Sequence, residues 1–265
     1  MAGTWALEQT LRHDRLIVAI GIATVVAFSW GYLLAGAGID MSMADMPMDP
    51  EPWSLAHALL MFAMWWVMMI AMMVPSAAPV ILLFAVIKRR QAATENPVIA
   101  SWLFLAGYLV IWAGFSLVAV LAQWALEQSR LLSGMMASTS SLLAGFILLA
   151  AGLYQITPIK RACLHYCRSP VLFLSRYWRP GAMGALRMGF RHGSYCVGCC
   201  WFLMALLFVV GVMNLAWVGS VAIYVALEKL LPRSQWVSRA AGVVLIVAGG
   251  IVLALGLTVT TSASM

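Results

Sequence analysis

The chain has 265 residues, of which 64% are hydrophobic and 9% are charged. A soluble domain carries roughly 25% charged residues, so the composition excludes an ordinary water-soluble protein. The net charge of +7 does not indicate nucleic-acid binding, because the basic residues are distributed as membrane topology requires. The apolar runs have the length of membrane helices, about 20 residues, and not of membrane strands. We predict an all-α fold, a polytopic bundle of transmembrane helices forming one domain over residues 1–265.

Seven membrane spans are predicted along the chain. They are Leu16–Gly38, Ser54–Ile87, Val98–Leu126, Ser140–Pro158, Val197–Met213, Leu215–Leu230 and Ala240–Thr260. We expect Pro75 and Pro79 to kink the second span or to end its membrane part. The fifth and sixth spans come from one long apolar run, which we divide by a turn at residues 211–214. One continuous helix there would place Arg233 and Arg239 outside the cell, against the positive-inside rule.

The lysines and arginines fall almost entirely on one side of the predicted membrane, and that side faces the cytoplasm in most membrane proteins. This asymmetry predicts a bacterial inner-membrane protein with a cytoplasmic N-terminus and an external C-terminus. The loop at residues 39–53 then lies outside, and the segment at residues 159–196 lies in the cytoplasm. Within that segment we expect a short helix from Ile159 to Trp178, ended by Pro180 and Gly181.

The external loop is the first candidate metal site. Its sequence DMSMADMPMDP contains four methionines, Met41, Met43, Met46 and Met48. Methionine often fills gaps in a core, but a polar, acidic loop gives no packing reason for four of them. A thioether is a soft ligand that selects Cu(I), so we predict that this loop captures Cu(I). The alternative is a loop folded over the membrane surface with its methionines dipping into the lipid.

The second candidate is a methionine stripe on the second span. We define the stripe as His57, Met61, Met64, Met68 and Met72. At 100° per residue these side chains fall within about 80° of arc on one helix face. Uncharged thioethers would hold Cu(I) in lipid without burying an anion, so the stripe is predicted to pass the ion along. The alternative is ordinary packing by a flexible side chain.

The third candidate is a cluster of thiol and imidazole ligands that contains every cysteine of the chain. Its members are Cys163, Cys167, His192, Cys196, Cys199 and Cys200. Several are four residues apart and therefore share a helix face. Such ligands suit Cu(I), or Zn(II) as a second choice, and a reducing cytosol disfavours disulfides between them. The alternative is that the cysteines serve as small apolar packing residues.

We interpret the remaining polar residues as surface or membrane-boundary residues with no part in metal binding. His165 is interpreted as a solvated surface histidine and Glu127 as a charge at the membrane boundary. Glu228 and Lys229 are interpreted as an interfacial pair that ends the sixth span. The sequence contains no ATP-binding motif and no catalytic residue is predicted.

Several motifs together resemble a known family. They are MMIAMMVP at 68–75, Tyr154-Gln155, PIKRACLHYCR at 158–168, GSYCVGCCW at 193–201, GVMN at 211–214 and Glu228-Lys229. They resemble the predicted metal-binding integral membrane proteins catalogued as domain of unknown function 2182, over about Ser54 to Gly250. The resemblance implies a polytopic helical membrane protein linked to a metal, and it supplies no reaction.

The sequence thus favours a membrane protein that binds Cu(I) and transports or delivers it across the membrane. The expected partners are membrane lipid and a metallochaperone or a subunit of a membrane complex, with no nucleic acid. Two other hypotheses stay open. One is a membrane thiol-disulfide oxidoreductase that uses Cys196, Cys199 and Cys200. The other is a structural or assembly subunit of a membrane complex.

Overall fold

The structure, a computed structural model, describes residues 2–36, 53–91, 96–133, 136–231 and 234–262. The helices are α1 (Ala2–Leu34), α2 (Leu55–Gln91), α3 (Pro97–Gln128), α4 (Ser141–Gln155), α5 (Pro158–Arg168), α6 (Pro170–Tyr177), α7 (Gly181–Ala205), α8 (Leu207–Val210), α9 (Leu215–Leu230) and α10 (Ser234–Ser262). Apart from one bridge between Leu132 and Ser138, the described residues contain no strand pairing. The predicted all-α fold is therefore confirmed.

The first three helices alternate in direction between two ends of the bundle. At one end, Arg89 near the end of α2 donates from Nη2 to Asp14 Oδ1 of α1 at 2.8 Å. We call this the basic end, because α2 finishes there with three consecutive basic residues. At the opposite end, Trp53 donates to Glu127 Oε2, in the last turn of α3, at 2.7 Å. The ends of α1, α2 and α3 are thus tied together by polar side chains.

The later helices run between the same two ends. Trp178, just before α7, packs on Phe84 near the basic end of α2, with ring centroids 5.5 Å apart. Phe208, after α7, packs on Trp65 towards the opposite end, with centroids 5.2 Å apart. Helix α10 begins near Glu228, which accepts a hydrogen bond from Ser238 at 2.5 Å. It finishes against the start of α4, since a Cβ on Gly256 would meet the Ser141 side chain.

Within the described residues, five helical segments are long and apolar enough to cross a membrane: Arg12–Leu34, Leu55–Arg90, Pro97–Gln128, Gly181–Val210 and Gln235–Leu257. Helices α4 and α5 are apolar enough only when taken together, and they meet at an angle of 66°, as in a broken span or a re-entrant loop. Helix α9 has 16 residues. Several membrane-length helices are therefore present, and the count of seven spans stays a prediction.

The structure shows the predicted turn in the long apolar run and the course of α2 at its two prolines. The turn at residues 211–214 is present: Gly211 has φ 115°, and Asn214 caps α9 by accepting from the Trp217 backbone N–H at 3.0 Å. Helix α2 continues through Pro75 and Pro79 to Gln91, and a kink at these prolines, or a membrane boundary there, stays a prediction.

The segment at residues 159–196 differs from its predicted form. In place of one short helix there are two, α5 and α6, because the chain turns at Ser169, the residue before Pro170. A residue before proline is disfavoured in helical conformation. Helix α7 then begins at Gly181, so His192 and Cys196 lie inside a long helix.

Close contact between α3 and α7 depends on glycine. A Cβ on Gly189 of α7 would collide with the Phe104 carbonyl oxygen of α3, and one on Gly107 of α3 would collide with the Leu186 carbonyl oxygen of α7. Small residues let membrane helices approach this closely. The approach places Tyr108, next to Gly107, against Cys196 in the centre of the bundle.

Candidate metal site

The methionine stripe faces the inside of the bundle. Met61, Met64, Met68 and Met72 are each 1% exposed. His57 is half-buried, and its ring lies 5.1 Å from that of Trp53. Eleven residues of α-helix rise about 16 Å, so these sulfurs follow α2 through a large part of the bundle. The loop methionines Met41, Met43, Met46 and Met48 lie outside the described residues.

One further thioether, from another part of the chain, lies beside two methionines of the stripe. Met213, in the turn before α9, lines a small cavity of about 10 Å³ together with Met64 and Met68. Gly36, which follows α1, lines the same cavity. Sequence reasoning missed Met213, because only the fold brings the turn against α2.

Polar side chains surround the first methionine of the stripe. Gln123 of α3 is fully buried and donates from Nε2 to Met61 Sδ at 3.4 Å and to Glu127 Oε1 at 2.8 Å. Trp65 donates to Gln123 Oε1 at 2.8 Å. Glu127 is thus part of an internal hydrogen-bond network, which corrects its interpretation as a simple boundary charge.

The cysteines of α7 lie at the basic-end side of the stripe. Cys196, Cys199 and Cys200 are buried. The thiols of Cys199 and Cys200 donate to the Cys196 carbonyl oxygen at 3.1 and 2.9 Å. Cys200 Sγ is 3.9 Å from the sulfur of Met73 on α2. This contact joins the methionine helix to the cysteine helix.

A fourth cysteine reaches this group from α5. Cys167 is buried, and its sulfur lies 3.9 Å from Cys199 Sγ. We call Cys167, Cys196, Cys199 and Cys200 the cysteine cluster. Cys163, one turn earlier on α5, is half-buried and lies against Gly198. All five cysteines are free.

A buried lysine contacts one member of the cysteine cluster. Lys229 of α9 is 5% exposed. Its Nζ donates to Cys196 Sγ at 2.9 Å and to Ser76 Oγ at 3.0 Å, and it lies 3.9 Å from Met73 Sδ. The Tyr108 hydroxyl lies 3.0 Å from Cys196 Sγ on the other side. The thiolate, which is the metal-binding form of cysteine, is the anion that Cys196 can offer to this ammonium group.

Glu228 is turned the opposite way, towards α5. It is fully buried and forms an ion pair with Lys160, with 2.7 Å between Lys160 Nζ and Glu228 Oε1. Gln155 and Tyr224 complete this network, with Gln155 Nε2 donating to the Tyr224 hydroxyl at 2.9 Å. The interpretation of Glu228 and Lys229 as an interfacial pair is therefore wrong: both are buried and they serve two different sites. A lysine next to a glutamate at the end of an apolar run was the available signal, since buried charges in membrane proteins are usually functional.

The two histidines of this region differ sharply. His192 is 2% exposed, and its ring packs among Phe104, Tyr108 and Phe173, with the closest centroid, that of Phe173, at 4.9 Å. Its Nδ1 is buried without a hydrogen-bond partner among the described residues, which leaves one nitrogen free to bind a ligand. His165 is exposed, as the sequence predicted.

The pairs of sulfur atoms in the cysteine cluster suit a soft metal ion with few ligands better than a hard ion or one with tetrahedral coordination. Over the described ranges, no three His, Cys, Asp or Glu side chains are grouped to hold a metal ion. The cluster instead offers sulfur pairs across helices, Met73 with Cys200 and Cys167 with Cys199. Sulfur ligands in low number suit Cu(I).

The family of the chain agrees with this donor set. The family model described as PpoB2, copper chaperone, matches residues 62–252, which is more than half of the chain. The chain belongs to this family of copper chaperones. The matched residues include the cysteine cluster, Lys229 and all stripe methionines from Met64 onwards. Comparisons with curated proteins and with solved structures find no match.

Membership of this family confirms the predicted link to copper. The match does not carry the name domain of unknown function 2182, so that part of the resemblance stays a prediction. The candidate ligand residues stay predictions: the match does not identify individual ligands, and the loop methionines lie outside the described residues.

Proposed function

We propose that this protein binds Cu(I) at the cysteine cluster and passes it between the two ends of a membrane-spanning bundle. The observation that carries the proposal is the 3.9 Å contact between Met73 Sδ and Cys200 Sγ. It connects the methionines of α2 to the thiols of α7. Weak thioether ligands followed by stronger thiolate ligands would let an ion enter easily and then be retained.

The proposed path begins at the external loop. Met41, Met43, Met46 and Met48 capture Cu(I), and His57 and the methionine stripe pass it inward. Met213 adds a third sulfur at the level of Met64 and Met68. The cysteine cluster and His192 then hold the ion, and Cys163, half-buried at the edge of the cluster, hands it on. The recipient is a metallochaperone or a subunit of a membrane complex.

The proposed direction depends on orientation. We place the basic end in the cytoplasm of a bacterial inner membrane, with seven passes of the chain through the bilayer. The alternation of helices between two ends supports seven passes, with α4 and α9 as the short ones.

The test of the copper site is the metal content of purified protein. We expect Cys196→Ser together with Cys200→Ser to remove most of the copper from protein loaded with Cu(I) under reducing conditions, because two of the central thiolate ligands are lost. The matched control is His165→Ser, an exposed residue near the same end, which should keep its copper. Elemental analysis after detergent purification gives the stoichiometry. Copper retained by the double variant at the level of the control would refute the cysteine cluster as the site.

One contact favours a second candidate function. Cys167 and Cys199 are on different helices with their sulfurs 3.9 Å apart, so a small side-chain rotation would bring them to disulfide distance. A thiol-disulfide oxidoreductase would cycle this pair, losing two protons and two electrons to an acceptor. Thiol trapping in growing cells separates the two functions: oxidised Cys167 and Cys199 with metal-free protein would favour the redox function.

A further inference from the structure

A second cavity lies at the basic end, away from the cysteine cluster. It has a volume of about 480 Å³ and is lined by Arg176, Tyr177, Trp178, Arg179, Arg187, Met188 and Arg191. Small-molecule sites typically measure roughly 300–1,000 Å³. We call it the arginine cavity, because four of its seven lining residues are arginines.

The positive charge of this cavity has no counter-charge in its own wall. No carboxylate lines it, and the sequence has no acidic residue between Glu127 and Glu228. The same stretch of chain contains eight lysines and arginines. All four arginines are exposed, and together they form a concentrated positive surface that attracts anions.

One aromatic residue of the cavity, Tyr177, packs directly against one of its arginines. The guanidinium carbon of Arg191 lies 4.0 Å from the centre of the Tyr177 ring, within the range of a cation–π interaction. The Tyr177 hydroxyl is in turn hydrogen-bonded to that of Tyr195 of α7 at 2.8 Å. This contact restricts the Arg191 side chain, which therefore loses less entropy when it binds a ligand.

The charge of the cavity excludes it from the copper path. A Cu(I) ion passing through would meet four positive groups and no soft ligand except Met188, which is 1% exposed. Arginine instead matches phosphate, which it binds through two parallel N–H donors. The ligand class is therefore a phosphate-bearing anion.

The position of the cavity identifies the source of that phosphate. Its residues surround the start of α7, where the membrane-length segment Gly181–Val210 begins. Trp178 lies at this boundary, where tryptophan is typical of membrane interfaces, and the neighbouring Met183 and Val171 are 59% and 70% exposed. We infer that the arginine cavity binds the headgroup phosphate of an anionic phospholipid. This site is independent of the copper proposal.

The experiment compares nanodiscs of phosphatidylcholine alone with nanodiscs containing an equal part of phosphatidylglycerol. Native mass spectrometry of the full chain released from each gives the fraction carrying phosphatidylglycerol, and titration gives its apparent Kd. We expect Arg187→Gln with Arg191→Gln to weaken binding about 30-fold, which corresponds to about 2 kcal/mol for two arginines. The control, Arg12→Gln with Arg15→Gln, removes the same charge from exposed residues of α1 and should bind as the wild type does.

Two further measurements distinguish binding of an anionic phospholipid from binding of inorganic phosphate or of an acidic polypeptide. Inorganic phosphate added to phosphatidylcholine nanodiscs should raise the melting temperature far less than phosphatidylglycerol does, because it lacks the anchoring acyl chains. Equal stabilisation by inorganic phosphate, or binding of polyglutamate with no preference for phosphatidylglycerol, would overturn the lipid assignment. Equal loss of lipid in the cavity variant and in the α1 control would also overturn it, since attraction would then come from overall charge. Unchanged copper content in the cavity variant shows that the protein is folded.

Discussion

At the scale of single residues, Lys229 is the least expected part of the proposed copper site. A buried ammonium group is costly unless it is paired and hydrogen-bonded, and here its partners are Cys196, Ser76 and Met73. Cu(I) held by two thiolates carries a net charge of −1, and the ammonium of Lys229 would neutralise it inside the bundle. A divalent ion on the same ligands would leave an excess of positive charge. If the proposed site uses two thiolates, the charge of Lys229 would thus favour a monovalent metal.

The prediction at this scale concerns Lys229→Met, which keeps the length and apolar stem but removes the charge. We expect Cu(I) affinity to fall at least about tenfold, or about 1.4 kcal/mol, because the thiolate complex loses its counter-charge. Competition against a chromophoric Cu(I) chelator measures this. Lys229→Arg, the charge-keeping control, should lose less. Equal affinity in the wild type and in a folded Lys229→Met protein would remove Lys229 from the site.

The candidate sulfur ligands could be predicted from the sequence more readily than the residues that contact them. Thiols and thioethers are identified by residue type, so Cys196, Cys199 and Met68 could be selected without a structure. Tyr108 and Met213 could not, because neither residue type nor local spacing distinguishes them from packing residues. Their relation to the sulfurs arises only where α3 and the turn before α9 meet the rest of the bundle.

At the scale of helices, periodicity predicted faces well and boundaries less well. The stripe on α2 is indeed one buried face, because a helical repeat of 3.6 residues maps directly onto side-chain direction. The extent of α7 was missed, since the glycines and arginines at its start resemble a loop. Gly184 and Gly189 are instead contact points for neighbouring backbone. In a single sequence, a glycine that allows close helix packing cannot be distinguished from a glycine in a loop.

The prediction for α2 tests transfer along the stripe. Met64→Leu together with Met213→Leu removes two of the three sulfurs around one cavity and keeps side-chain bulk. We expect loading of the cysteine cluster from the far end to slow about tenfold, a rise of about 1.4 kcal/mol in the transfer barrier, with final copper content unchanged. Stopped-flow loading of protein in liposomes measures the rate. Met183→Leu, at an exposed position, is the control, and equal rates in both variants would make the stripe a packing feature.

At the scale of the whole molecule, the organisation follows from where charge can be placed. Most basic residues gather at one end of the bundle. Buried Asp14, Lys160 and Glu228 form ion pairs, and buried Lys229 contacts a thiol. The Asp14–Arg89 and Lys160–Glu228 pairs tie α1 to α2 and α5 to α9. The class of fold and the link to copper could be predicted from composition and ligand types. The number of spans could not, because α9, with 16 residues, is about 24 Å long against a hydrocarbon core of about 30 Å.

The last prediction decides whether α9 crosses the membrane. Reporters active only outside the cytoplasm, fused in separate proteins after Met213, Leu231 and Met265, should be active, inactive and active in turn. The physical reason is that the exposed arginine Arg239 near the start of α10 favours the cytoplasmic side, while the turn at residues 211–214 is far from the basic end. A reporter active only inside should give the reverse pattern, and fusion after Trp178 provides a control for the cytoplasmic side. A cytoplasmic signal after Met265 would mean an even number of passes, with α9 buried in the bundle but not spanning the bilayer.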